Sequence, residues 1–431
     1  MRRMILATFV FIFSLSWAEV KVEKVLETTS IKEYNQWVKK NKTKYPRLKP
    51  IYIQHEMTKI GKSSTAVDYE PERTFDPPST NPFINEYNVR YYDEDGDIVK
   101  EEIIRGYVAV QVSLDFDEIL INKRDHPWYP EKRISIVKDN RGNIKFTKDT
   151  IFSLRFTGAE LYIEKADIEI GATSLRLFDK NGSVIGNLEG ASSPFDDYLP
   201  VANADKKFFV EGYRQEPDYR PGLLFFLYTQ KGEVLWCKEF PWQEKAPWGL
   251  HPSISGDGQV IAIGHVNKVY VYHLNGELWR EYKYEYPHPA ITALSYDGRF
   301  LAIATREGGT KVMLCDNKNG KMVWNKKIEG LVLSTKSRCI AMSPNGRYIA
   351  LMLRPDQVYL LDEKGQILKQ WDLHGIVGHA VAPSGKRVEI PLGVFTILQF
   401  IDNLLIIKYT KDNPDFKTDF NYIIEKVMED E

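Results

Sequence analysis

The sequence predicts an all-β protein, a β-propeller of four-stranded antiparallel blades with one short helix near its start. Three observations carry that reading. Residues 252–371 state one pattern three times: ISGDGQVIAIG then KVYVYHLNGELW, LSYDGRFLAIAT then KVMLCDNKNGKMVW, MSPNGRYIALML then QVYLLDEKGQILKQW. Hairpin glycines at 96, 142, 182, 232, 276, 320 and 365 are separated by 46, 40, 50, 44, 44 and 45 residues, the period of a four-strand blade. The third strands, VYVY at 269–272, VMLC at 312–315 and VYLL at 358–361, are apolar on both alternating faces. A sheet with one wet face would alternate polar and apolar, so these sheets are covered on both sides, as blades are by their neighbours. A β-sandwich with coincidental turns is the competing architecture.

Each unit is punctuated twice. Asp257-Gly258, Asp297-Gly298 and Asn345-Gly346 close two-residue hairpins, and Gly276, Gly320 and Gly365 close the next ones. The second strands mix large residues with Ala262, Ala302 and Ala304, which suits a taper toward a crowded axis. Seven complete units follow Arg105, and the hairpin at Gly96 has no evident partner strands. Seven blades are therefore expected, with eight as the alternative. The last unit, less regular, is placed at 383–424.

The chain before the repeats divides by composition. Residues 1–18 read as a secretory signal: Arg2-Arg3, an apolar core at 4–15, then Ser16-Trp17-Ala18 with small residues at the two positions a peptidase reads. Residues 19–85 are assigned to an N-terminal strand, a helix and a Pro-rich loop, and 86–431 to the propeller. The strand, with Val20, Val22 and Val25, could close the ring against C-terminal strands. Ser30 with Glu33 forms a capping box, and Ile31, Tyr34, Trp37 and Val38 share one helical face. That helix is expected on the rim or over one mouth. Asp93, Asp95 and Asp97 alternate around Gly96, but a calcium loop would want Gly and Glu where Ile98 and Ile104 stand, so a solvated turn is expected.

The turns SPNGRY and SYDGRF resemble WD-repeat propellers, and Asp316, Gly320, Lys321 and Trp324 in DNKNGKMVW resemble the tryptophan-docking pattern of pyrroloquinoline-quinone-type propellers. Leu314 departs from that pattern's alanine, and Gly232 with Trp236 is a degenerate echo. The resemblance spans repeats over about two-thirds of the chain and implies a fold rather than an activity.

With 58 basic and 59 acidic side chains, the chain as a whole offers no electrostatic case for nucleic acid or an anionic membrane. Cys237, Cys315 and Cys339 are read as buried free thiols acting as small apolar residues. No G-x-S-x-G elbow occurs, and the adjacent Asp196 and Asp197 point apart rather than forming a glycosidase pair. His251, His288, His374 and His379 show no metal-ligand spacing; no metal and no cofactor are expected. The long connections fall on the face opposite the glycine turns, and insertions gathered on one face mark a binding face. Their aromatics are the candidate partner-binding residues: Phe195, Tyr198, Tyr213, Tyr219, Trp242, Trp248, Tyr284 and Tyr286. The reading is an exported, non-catalytic platform in the periplasm or outside the cell, binding a protein or other envelope macromolecule, with no nucleic acid and no stable membrane insertion after cleavage. The alternatives are a quinone-dependent or polysaccharide-active enzyme, and a small-ligand sensor using the central channel.

Overall fold

The structure is a computed structural model and describes residues 20–59, 85–113, 117–124, 133–150, 154–156, 162–168, 172–189, 201–202, 208–214, 222–229, 231, 233–241, 251–286, 289–306, 309–332, 339–354, 357–373, 377–381, 387–391, 396–412 and 418–428. The fold is a β-propeller: antiparallel sheets, mostly of four strands, follow one another along the chain. Residues 1–18, expected to be a secretory signal, lie outside the described residues, and no described helix is long and apolar enough to cross a membrane.

Strand β1 (Lys21–Thr28) leads into helix α1 (Ile31–Asn41), then β2 (Ile53–Lys59), β3 (Asn85–Tyr92) and the long β4 (Ile98–Val112). Blade 1 is β2, β3 and the first part of β4. At Gly106 (φ +125°) β4 turns and becomes the inner strand of blade 2, pairing with Glu118–Arg124. Blades 3 to 7 then follow in order, each pairing its consecutive strands. Blade 8 is Thr396–Ile401, Leu404–Asp412, Thr418–Met428 and, as its outermost strand, β1, so the N-terminal strand closes the ring.

Eight sheets result, the second of the two counts, because β2 partners the hairpin at Gly96. Seven of the eight are four positions deep; blade 1 has three strands among the described residues. Strands β1 and β2 both lie inside blades. The residues around 383 form a separate hairpin, Val377–Val381 with Arg387–Pro391, and the last blade begins only at Thr396. The reason is burial. Ile401, Leu404, Ile406 and Ile407 can be covered on both faces, and Leu404 and Ile407 are fully buried.

The burial gradient inside a blade explains the composition of each strand. In blade 5 the second strand (Val260–His265) is buried throughout, whereas the outer one (Leu278–Lys283) is mostly in contact with water. Large side chains fill the space between blades and alanines line the narrow centre: Ala262, Ala302 and Ala350 are fully buried. The inner turns repeat one device. Ser255, Ser295 and Ser343 accept from the backbone N–H of Val260, Phe300 and Tyr348, each at 2.9 Å. Each serine in turn donates to the turn's Asp257, Asp297 or Asn345 at 2.6–2.7 Å. The recurring Ser-x-Asp/Asn-Gly is thus a self-satisfied turn that needs no water inside the ring.

Blades are joined by the residue four positions after the hairpin glycine, except after Gly182, where that position is Gly186. Trp324 donates its Nε1–H to Glu363 O of the next blade at 2.7 Å, and Trp236 does the same to Leu274 O at 2.8 Å. Gly365 lies under the Trp324 ring: a Cβ there would sit 3.1 Å from it, and the residue's φ is +74°. The same position is held by Lys100, bonded to Gly142 O, by Phe146 against Gly182, and by Arg280, bonded to Asn317 O. The docking geometry therefore survives where the tryptophan is gone. What it needs is a side chain long enough to cross the seam.

Candidate interaction surface

Helix α1 begins where the capping box places it: Ser30 Oγ accepts from Glu33 N at 3.3 Å. Its apolar face (Ile31, Tyr34, Val38) packs against Tyr422, Ile424 and Leu404 of blade 8 and Tyr92 of blade 1. The helix is held there by the acidic hairpin of blade 1. Lys32 pairs with Asp97 and Lys39 with Asp95, both at 2.6 Å, while Asp93 Oδ1 accepts from the N–H of Asp95 and Asp97. Gly96 meets the backbone of Lys32 so closely that a Cβ would lie 2.5 Å from its Cα. Asp95 and Asp97 hold the helix through half-exposed ion pairs while Asp93 closes its own turn, so the acidic turn is solvated, as expected, and also seats the helix.

After α1 the chain crosses the face that carries the glycine turns. Tyr45, Leu48 and Ile51 are buried against blade 8. Buried Asn35 clamps Ile51 from both sides, donating to its O at 3.0 Å and accepting from its N at 2.8 Å. Arg47 lies over the ring of Tyr296, in the inner turn of blade 6, at 5.3 Å. Two residues on, Lys49 is 3.7 Å from Asp117, in the inner turn of blade 2. Blades 2 and 6 stand opposite one another in a ring of eight. A segment that touches both within three residues crosses the axis, so residues 45–51 strap the mouth on this side. The inner turns below are also tied to each other: Asp257 N donates to Tyr296 O, and Tyr296 N to Pro344 O.

The blade 8 to blade 1 seam beneath the strap is unusually polar for its depth. Lys408 is buried, with its ammonium 5.9 Å from the Tyr422 ring centre, and burial holds its pKa well below the ordinary lysine value. Burial, with the Lys408 charge adding to it, lowers His55 to about 4. Burial raises the Tyr34 and Tyr422 hydroxyls above their ordinary range.

The candidate partner-binding residues fare unequally. Phe195, Tyr198, Tyr219, Trp242 and Trp248 lie outside the described residues. Tyr213 falls within the strand Phe208–Arg214. Tyr284 is buried: its hydroxyl donates to Val266 O and accepts from Ala290 N at 2.8 Å. That pins the positive-φ turn at Val266 (φ 50°), and Tyr284 has no surface to offer a partner. Tyr286 is half-buried against the core between blades 5 and 6. Among the metal candidates, His251 is half-buried on an inner strand, and burial with the nearby Arg306 charge lowers it to about 4. His379 lies in the separate hairpin, and His288 and His374 lie outside the described residues. Among the described residues no group of three His, Cys, Asp or Glu side chains is placed to hold a metal.

The cysteines divide. Cys315 and Cys339 are buried, as small apolar residues should be, but Cys237 is exposed. It sits on an outermost strand, where only one sheet neighbour covers it.

The strap escaped sequence reasoning. Its signal was local, six basic and no acidic residues between 39 and 49, and the balanced total charge conceals it.

No family model matches the chain, and no curated protein matches it. Among solved structures it is similar to BamB from Moraxella catarrhalis, at 12% identity and a TM-score of 0.47, over 78% of this chain and 90% of that one.

Proposed function

We propose that the protein is an exported, non-catalytic interaction platform whose partner, a protein or other envelope macromolecule, docks on the long-loop face. The observation that carries this reading is the strap. It crosses the axial mouth on the glycine-turn side, from Asp117 to Tyr296, which directs the proposal to the opposite face. The sequence reading assigns to that face the connections holding Tyr198, Tyr219, Trp242, Trp248 and Tyr286, the amphipathic aromatic type that anchors partners. The segment that resembles a quinone-type motif is spent on structure. Asp316 accepts from Lys318 N and from Arg299, and Trp324 docks on the next blade. It therefore gives no support to a quinone-dependent activity.

The test is Trp242→Ala with Trp248→Ala in the exported protein, followed by crosslinking to its envelope neighbours. Loss of a crosslinked partner at nearly unchanged melting temperature supports the proposal. Equal loss of partner and stability would make both residues core and refute it.

A further inference from the structure

The segment that crosses the glycine-turn face carries more charge than its own structure uses. Six cations stand between residues 39 and 49, with no acid among them. Three are engaged: Lys39 pairs with Asp95, Lys49 lies 3.7 Å from Asp117, and Arg47 covers the Tyr296 ring. Lys40, Lys42 and Lys44 are exposed, and the side chain of none of them forms an ion pair or a hydrogen bond. Lys44 Nζ is 5.4 Å from the Tyr45 ring centre, a contact that leaves its charge intact. The end of α1 favours Lys39 and Lys40 in its last turn, but a helix terminus carries only about half a charge and neutralises neither. The acidic hairpin of blade 1 answers this stripe at the rim, through Lys32 and Lys39.

What the stripe lacks narrows its partner. Tyr45, Leu48 and Ile51 are buried, and Trp37 is half-buried beside Tyr45, the two rings stacked 6.5 Å apart. The outward side chains are therefore charge without an apolar anchor, whereas protein partners are gripped by buried Trp, Tyr and Arg. Lysine ammonium groups are hydrated point charges, not the planar forks that read a single phosphate or carboxylate. Several such charges on one face of a disc suit a dense, flat anionic surface, where each adds attraction without a fixed contact. The balanced total charge does not oppose this. Salt confines the attraction to groups within about 10 Å of that surface.

From this arrangement we propose that the glycine-turn face docks on an anionic lipid bilayer through Lys40, Lys42 and Lys44, peripherally and with no insertion of the chain. The loop face then points away from the bilayer. The inference does not rest on what that face binds.

The experiment is sedimentation of the full-length protein with vesicles of phosphatidylglycerol and phosphatidylcholine, against vesicles of phosphatidylcholine alone. Binding to the anionic vesicles only, reversed by high salt, is expected. Lys40→Gln, Lys42→Gln and Lys44→Gln together should weaken it about a hundredfold, at about fivefold per lysine. Lys123→Gln, Lys283→Gln and Lys327→Gln remove the same charge from exposed positions at the other ends of their strands, and should change binding by less than about twofold. No binding to anionic vesicles, equal binding to neutral ones, or equal loss in the two triple variants overturns the proposal. So does release of the protein by polyglutamate or duplex DNA at less anionic charge than the lipid supplies, which would assign the stripe to a protein or a nucleic acid.

Discussion

Glu425 offers the sharpest check on how the ring is closed. In blades 1, 4, 5 and 6 the residue four positions after the hairpin glycine reaches a backbone carbonyl of the next hairpin: Lys100, Trp236, Arg280 and Trp324. Blade 8 has no such hairpin, because its outer strand comes from the other end of the chain. Lys369, at the docking position of blade 7, finds the Glu425 carboxylate instead. Glu425 is fully buried and Lys369 is 31% exposed, so removing the two partners is not symmetrical. Glu425→Gln keeps an oxygen for Trp371 and releases Lys369 to water; the loss is about 1–2 kcal/mol. Lys369→Met leaves a buried carboxylate held by the Trp371 indole N–H, at a cost of about 3 kcal/mol. The double variant Lys369→Met with Glu425→Gln removes the stranded charge and should be more stable than Lys369→Met alone. Guanidinium unfolding midpoints of the four proteins, with slopes checked for constancy, measure this. A double variant no more stable than Lys369→Met would refute the claim that a buried, paired charge holds the seam.

Three further outcomes follow from the same structure. Trp324→Phe keeps the ring on Gly365 but loses the bond to Glu363 O, costing about 1 kcal/mol, while Gly365→Ala adds a clash 3.1 Å from the indole at φ +74° and costs about 1–2 kcal/mol; thermal unfolding ranks them. In the native protein a thiol reagent should modify Cys237 alone, since burial pushes Cys315 up to about 12 and Cys339 is 1% exposed; two rapid equivalents instead of one would contradict the packing. His55 and His251 both titrate near 4 in the folded chain, against about 6.5 unfolded. As pH falls the unfolded chain takes up protons first, so the stability these rings contribute is complete above about 6.5 and is lost on the way down to about 4. Each is half-buried, which keeps the effect to about 1–2 kcal/mol. Replacing His251 by Gln should flatten the stability profile across that window.

The sequence alone determined the repeating unit. Two-sided apolar third strands and glycine turns at a near-constant period admit few other packings, because each sheet must be covered on both faces by another like it. The capping box at Ser30 and the ring-closing role of β1 were legible for the same reason: both are local patterns with one good use. Tertiary structure decided what depends on long-range proximity. It brought β2 to the hairpin at Gly96 across a Pro-rich stretch, which changed the blade count. It seated α1 on Asp95 and Asp97 of the solvated acidic hairpin, and it laid a basic segment across the axis between blades 2 and 6. It also took Tyr284 from the candidate binding surface into the core, since a phenol that satisfies two backbone groups inside a tight connection has a use there that spacing along the chain does not reveal.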